Sequence, residues 1–246
     1  MALDISARIK RTIRRVWSTA KYLTLSPREF FFDRMSNYGI RNELILVIVI
    51  GFVGFLGWAY AARVLIDPFA TGPVLPGETV QQIPTDVHYR VWGTAMFQSF
   101  GQVLAVWILY TLVTYVVSWF YSDRGSVFGL AKNLAWSLYP LVYAYLVMTI
   151  GLVLTFWTLG EVETELPIAT DAAAAYLYDQ GLNEPLMILT MLAMIPFIVW
   201  TGYLASFAIE KVRQLSSSNA RKVAAIPTAI YAGYVLWTIA PRVGLL

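Results

Sequence analysis

The 246-residue chain contains no cysteine and a single histidine, His88. The first absence removes disulfide frameworks, thiolate metal sites and cysteine nucleophiles together, and leaves the redox compartment open. The second means that zinc, haem or copper sites needing two or three imidazoles cannot be built from this chain alone. Charge is scarce as well, with 13% of residues charged and 58% in the hydrophobic set. An ordinary soluble domain carries about 25% charged residues. Half that complement cannot cover a soluble surface of this size, so most of the exterior must meet lipid. A conventional water-soluble enzyme is thereby excluded.

In place of charge there are long apolar runs. Leu44–Ala62, Val91–Ser122, Asn133–Gly160, Leu186–Ile209 and Val223–Pro241 are uncharged over 19, 32, 28, 24 and 19 residues. A helix of roughly 20 residues, rising about 1.5 Å per residue, crosses a hydrocarbon core near 30 Å. Each run suffices for one crossing and none for two. The expected fold is therefore all-α: a polytopic integral membrane protein with five transmembrane helices and an N-terminal cytoplasmic amphipathic helix. Spans are expected at about 44–64, 95–120, 134–158, 186–209 and 223–241, within a membrane domain of 42–246 that follows a head of 1–41.

The few charges are sorted. Residues 1–43 hold nine Lys/Arg, and alternate compartments receive fifteen and three basic residues in all. The positive-inside rule then puts the N-terminus in the cytoplasm and the C-terminus outside a cell membrane that is crossed several times. Glu161, Glu163, Glu165, Asp171, Asp179 and Glu184 share one external loop. No secretory signal peptide is expected, because 43 residues precede the first apolar run and no small-x-small cleavage site follows it. Lipidation is not expected either, since position 2 is Ala2 and no cysteine is available.

Residues 5–23 have the period of an amphipathic helix with Asp4 as its N-cap. Ile5, Ile9, Ile13, Val16, Trp17, Ala20 and Leu23 form the apolar side, and Arg8, Lys10, Arg11, Arg14 and Arg15 occupy much of the rest. Such a helix lies in the headgroup region and is drawn to anionic lipid, which makes Arg8, Lys10, Arg11, Arg14, Arg15 and Trp17 candidate lipid-binding residues. The competing reading is a solvated helix packed on the cytoplasmic ends of the spans. Nucleic acid is not an expected partner, because no recognised module surrounds the basic residues. Ser26 and Glu29, with Pro27 between them, have the spacing of a capping box that starts a second short helix. Phe30, Phe31 and Phe32 cannot all lie on one face of a surface helix, so insertion among lipid tails or against the bundle is expected. Gly39 is the expected stop and Asn42 the expected cap of the first span.

A Ser-Pro-x-x-Phe-Phe element at Ser26–Phe31, shortly before the first of five membrane helices, resembles the YIP family. These are the Rab/Ypt-interacting membrane proteins and their prokaryotic relatives. The second span, with Gln98, Gly101 and Gln102, ends in Tyr121 and is followed by Arg124-Gly125-Ser126, which is similar to the family. The stretch Trp136-Ser137-Leu138-Tyr139-Pro140-Leu141 is similar to its aromatic-x-x-Pro-Leu element. The resemblance covers residues 22–240. The Asp-Leu-Tyr-Gly-Pro element of the eukaryotic members is absent, so the prokaryotic branch is the better fit.

Candidate sites are few. Gln98 and Gln102 sit one turn apart on the second span with Ser99 nearby, and Asn133 opens the third. Together with Tyr139 and Pro140 these are the polar and helix-packing residues expected to matter. Polar groups in lipid turn inward and bond between helices, for roughly 0.6–2 kcal/mol each; the competing reading is a solute path. No Asp, Glu, Lys, Arg or His lies in the middle of a span, which argues against an ion-coupled pump. Pro140, Pro196 and Pro227 are expected to kink helices three to five. Gly51, Gly54 and Gly57 form a small-residue stripe for close helix approach. Trp58, Trp119, Trp136, Trp157 and Trp200 read as interfacial anchors. Pro68–Pro84 reads as a loop, and Thr170–Ala175 as a capped helix outside.

Asp86, His88 and the acidic loop lack the spacing of a metal site, so no metal is expected, and no cofactor or catalytic residue. The expected role is a non-catalytic scaffold, membrane-organising or accessory protein. Its expected partners are the lipid bilayer and either a membrane protein or a second copy of the chain. The alternative is a passive channel or transporter component with a polar path near Gln98 and Gln102. An intramembrane enzyme comes third, for want of an acid/base pair.

Overall fold

The computed structural model describes residues 18–35, 40–71, 92–160 and 181–244, and no strand occurs among them. Arg8, Lys10, Arg11, Arg14, Arg15 and Trp17 lie outside the described residues, as do Gly39, Asp86, His88 and the 161–180 segment with Thr170–Ala175. Eight helices carry most of the described residues, and residues 181–183 are helical as well. α1 covers residues 18–25. α2 (Pro27–Glu29) continues into a wider π turn over Phe30–Arg34. α3 is Ile40–Thr71, α4 spans Trp92–Trp119, α5 is Val127–Ser137 and α6 is Leu141–Gly160. α7 is Pro185–Arg213, and α8 (Ser217–Ile239) ends in a 3₁₀ turn over Ala240–Val243. Five of them, α3, α4, α6, α7 and α8, are long and apolar enough to cross a membrane.

The spanning helices pack in a way their composition allows. Large apolar side chains such as Ile48, Phe52, Leu109, Leu189 and Ile230 are half exposed on the outer faces. Lipid is as apolar as leucine, so burial of such residues does not hold helices together and close packing has to. The glycine stripe of α3 shows how. A Cβ on Gly57 would lie 2.7 Å from the Cα of Thr149 on α6, while Gly51 and Gly54 receive the rings of Phe100 and Tyr145. This contact also lets Thr149 Oγ1 donate to the Val53 carbonyl at 2.6 Å, a hydrogen bond between two spans.

Several expectations are corrected at this level. The third run, expected at 134–158, is broken at Leu138–Pro140 into α5 and α6. α5 is wedged against α3, α4 and α7 at one end of the bundle, and Leu130, Leu134 and Trp136 on it are buried. Proline explains the break, because Pro140 cannot donate within a helix and disfavours the helical region for the residue before it. Pro196 and Pro227 stay inside α7 and α8. Ser26 makes no side-chain cap, and Glu29 instead pairs with Arg34 at 3.4 Å. Asn42 lies within α3 rather than capping it, and α3 runs through Pro68 to Thr71. Trp58 and Trp136 are buried, and Trp200 sits well inside α7, stacked on Tyr143. Trp119 and Trp157 are exposed near helix ends.

Two buried clusters run the length of the bundle. One joins α3, α4, α6, α7 and α8 through their middles. The other fills the end where α5 lies, and draws in Leu23, Phe30, Phe31 and Met35 from α1 and α2. This is called the basic end below, since Arg41, Lys132, Arg213 and Arg221 lie at it and the basic N-terminal segment leads into it.

Candidate functional site

Polar side chains that the sequence scatters are gathered in two places. The first is in the half of the bundle away from the basic end. There α4 carries a π turn over Phe97–Gly101, inside which Ser99 Oγ bonds back to the Ala95 carbonyl at 2.7 Å. A hydroxyl competing for a helical carbonyl in this way loosens the ladder locally, and π turns recur at functional sites. Phe100 from this turn fills the notch at Gly51 of α3.

Gln98 and Gln102 then line a cavity of about 270 Å³ at which all five spans meet. Trp58 comes from α3, Tyr145 from α6, Met191 from α7, and Tyr231 and Arg242 from α8 and its terminal turn. A second cavity of about 330 Å³ shares Gln98, Gln102, Tyr231 and Tyr234 with the first. It opens as a groove between α4 and α8, with Ala105, Val106, Leu109 and Ile230 on its walls. Among the described residues Arg242 is the one formal charge on these walls, and no carboxylate or imidazole joins it. Its guanidinium donates to the Thr238 carbonyl, and its Nε is buried without a hydrogen-bond partner. What these walls offer is hydrogen bonding by amides and phenols, one cation, and apolar surface.

The other expected polar residues lie elsewhere. Asn133 on α5 donates to the Gly129 carbonyl of its own helix at 2.7 Å, and its Oδ1 is buried without a partner. Tyr139 bonds the Tyr143 hydroxyl at 2.6 Å, and the two rings lean on Trp200. Pro140 starts α6. Neither Asn133 nor this aromatic ladder reaches the cavity lined by Gln98 and Gln102.

At the basic end the structure brings together charges that no sequence motif singles out. Glu43 is fully buried and accepts the Trp136 indole N–H at 3.0 Å. Arg213 is fully buried too; it donates to the Gly125 carbonyl at 3.1 Å and to the Ser122 carbonyl, and lies 5.0 Å from the Tyr115 ring centre. Gly125 has φ +79°, and a Cβ there would lie 2.4 Å from the Val212 carbonyl oxygen. Only glycine tolerates both, and that turn aims the two carbonyls at Arg213. Next to it Lys211 donates to the Phe31 carbonyl, and Arg28 pairs with Glu210 at 3.0 Å. The available signal was position, for Glu43 directly precedes the run Leu44–Ala62 and Arg213 follows the run Leu186–Ile209 by four residues.

A family model described as Yip1 domain matches residues 21–240. No curated protein and no solved structure matches the chain.

Proposed function

The chain belongs to the Yip1 family, and on that premise we propose that it is a non-catalytic protein that organises its membrane by holding lipid and partner proteins. The observation that carries this reading is how the head is held. Phe30 and Phe31 are fully buried in the cluster that α5, α7 and α8 share, so residues 18–35 are clamped to the basic end. The basic segment that precedes them is thereby kept at the membrane surface, where Arg8, Lys10, Arg11, Arg14, Arg15 and Trp17 engage anionic headgroups. With fifteen basic residues on that side, it is the cytoplasmic one. We place the head at 1–41 and the membrane domain at 42–246.

The absence of cysteine makes a clean test available. Trp17→Cys carrying an environment-sensitive fluorophore is expected to shift to the blue in proteoliposomes rich in phosphatidylglycerol, and not in pure phosphatidylcholine. Replacing Arg11, Arg14 and Arg15 by Gln is expected to abolish the shift. An unchanged spectrum in that triple variant removes the lipid-engaging head from the proposal.

The cavities at Gln98 and Gln102 favour one second reading, a passive path for a solute. On it, Gln98→Leu combined with Gln102→Leu stops a flux that wild-type liposomes show. On the scaffold reading, wild-type liposomes show no flux above empty ones, and the double variant matches them.

A further inference from the structure

We propose that the joined cavities hold one anionic phospholipid, with its phosphate against Arg242, Gln98 and Gln102 and an acyl chain in the groove between α4 and α8. This site is separate from the head and goes beyond the reading given for it.

Three observations lead there. The first is charge. Among the described residues Arg242 faces a cavity with no acidic residue on its wall, and its Nε is buried without a hydrogen-bond partner. A guanidinium so placed favours a bound anion and suits phosphate well, because its donors are arranged in a planar fork. Thr238 on α8 takes one of those donors and leaves others for a ligand.

The second is continuity. Gln98, Gln102, Tyr231 and Tyr234 line both spaces, so the polar cavity passes directly into the groove. Beyond these four the groove walls are apolar, with Phe97, Ala105, Val106, Leu109 and Ile230 among them, and the one further polar group, the Tyr110 hydroxyl, is already bonded to Thr228. A small polar solute finds no partners there. A hydrocarbon chain does.

The third is depth. α4 has 28 residues from Trp92, with Gln98 six positions in and Ala105 thirteen. At about 1.5 Å per residue the helix is about 42 Å long, against a hydrocarbon core of about 30 Å. If the overhang is shared equally, Gln98 lies about 3 Å inside the core boundary and Ala105 about 14 Å, close to the midplane. Arg242, at the end of the fifth span, stands at headgroup level. The polar end of the site therefore matches the headgroup, and the groove matches one leaflet's chains. That leaflet is the one opposite the basic end.

The full chain, reconstituted in mixed phosphatidylcholine–phosphatidylglycerol vesicles and then extracted, is to be weighed by native mass spectrometry. One phosphatidylglycerol is expected to stay with the wild type in preference to phosphatidylcholine. Arg242→Gln is expected to weaken its retention about tenfold, the loss of one charged hydrogen-bond partner. Ala105→Trp, at an exposed position on the groove wall, is expected to lower retention by filling the chain's place while the melting midpoint holds. The Arg11, Arg14 and Arg15 triple variant is expected to retain this lipid, so failure of the head and failure of this site are told apart. Equal retention of phosphatidylcholine overturns the proposal, as does full occupancy in both Arg242→Gln and Ala105→Trp. Binding of glycerol phosphate as tight as that of the lipid also overturns it, since the groove would then contribute nothing.

Discussion

Arg213→Ala is expected to lower the stability of the detergent-solubilised protein by about 3 kcal/mol or more. The side chain is wholly buried, and its two donors reach the carbonyls of Ser122 and Gly125 in the turn between α4 and α5. Removing it leaves two carbonyls without their charged donor, each costing about 1–3 kcal/mol where water does not replace it. The contact with the Tyr115 ring at 5.0 Å is lost as well. For a chain of this length, about 3 kcal/mol corresponds to a fall of about 6–12 °C in melting midpoint. Arg213→Lys is expected to recover little, because one ammonium on a flexible stem does not match a rigid fork set between two carbonyls. Thermal melts followed by tryptophan fluorescence decide it. A midpoint equal to that of the wild type would show that the latch contributes nothing.

Phe30→Ala is expected to cost about 3–5 kcal/mol, the range for emptying a buried phenylalanine site. Phe30 is fully buried, with its ring 5.4 Å from those of Phe31 and Trp136. Its loss opens a cavity beside the indole that holds Glu43. Phe32, 39% exposed on the same turn, is the control, and Phe32→Ala is expected to change little. The cost should appear first as release of α1 and α2, since only Leu23, Phe31 and Met35 then remain as fully buried apolar anchors of this segment. Limited proteolysis is therefore expected to cut within residues 18–35 faster in Phe30→Ala, while α3 to α8 stay protected. Equal cleavage rates in the two variants would mean that the head is not held by the aromatic wedge.

Much of the architecture was legible before any coordinates. Five spans could be counted because lipid imposes a length of apolar sequence on each, and a run such as Leu186–Ile209 leaves no other reading. The Yip-type resemblance rested on Ser26–Phe31 and Trp136–Leu141, both of which lie in the matched stretch of 21–240. The capping box at Ser26 and Glu29 misled, because a spacing allows a hydrogen bond without requiring it, and Glu29 has Arg34 within reach instead. Asn133 was grouped with Gln98 and Gln102 on composition alone, yet it lies on α5, away from the cavity those two share.

Scarcity of charge by itself determined that this protein lives in a membrane and how many times it crosses. Those properties follow from transfer free energies, which sum along the chain and need no knowledge of neighbours. What each boundary charge does was decided only by tertiary structure. Glu43 and Arg213 look alike in sequence to Arg41 and Lys222, but folding buries the first pair and sets an indole N–H or two carbonyls against them. The same holds for Gln98, Gln102 and Arg242, separated by up to 144 positions and brought to one cavity. Hydrogen bonding and close packing depend on distance and direction in space, and in an all-helical bundle those are set by which faces meet.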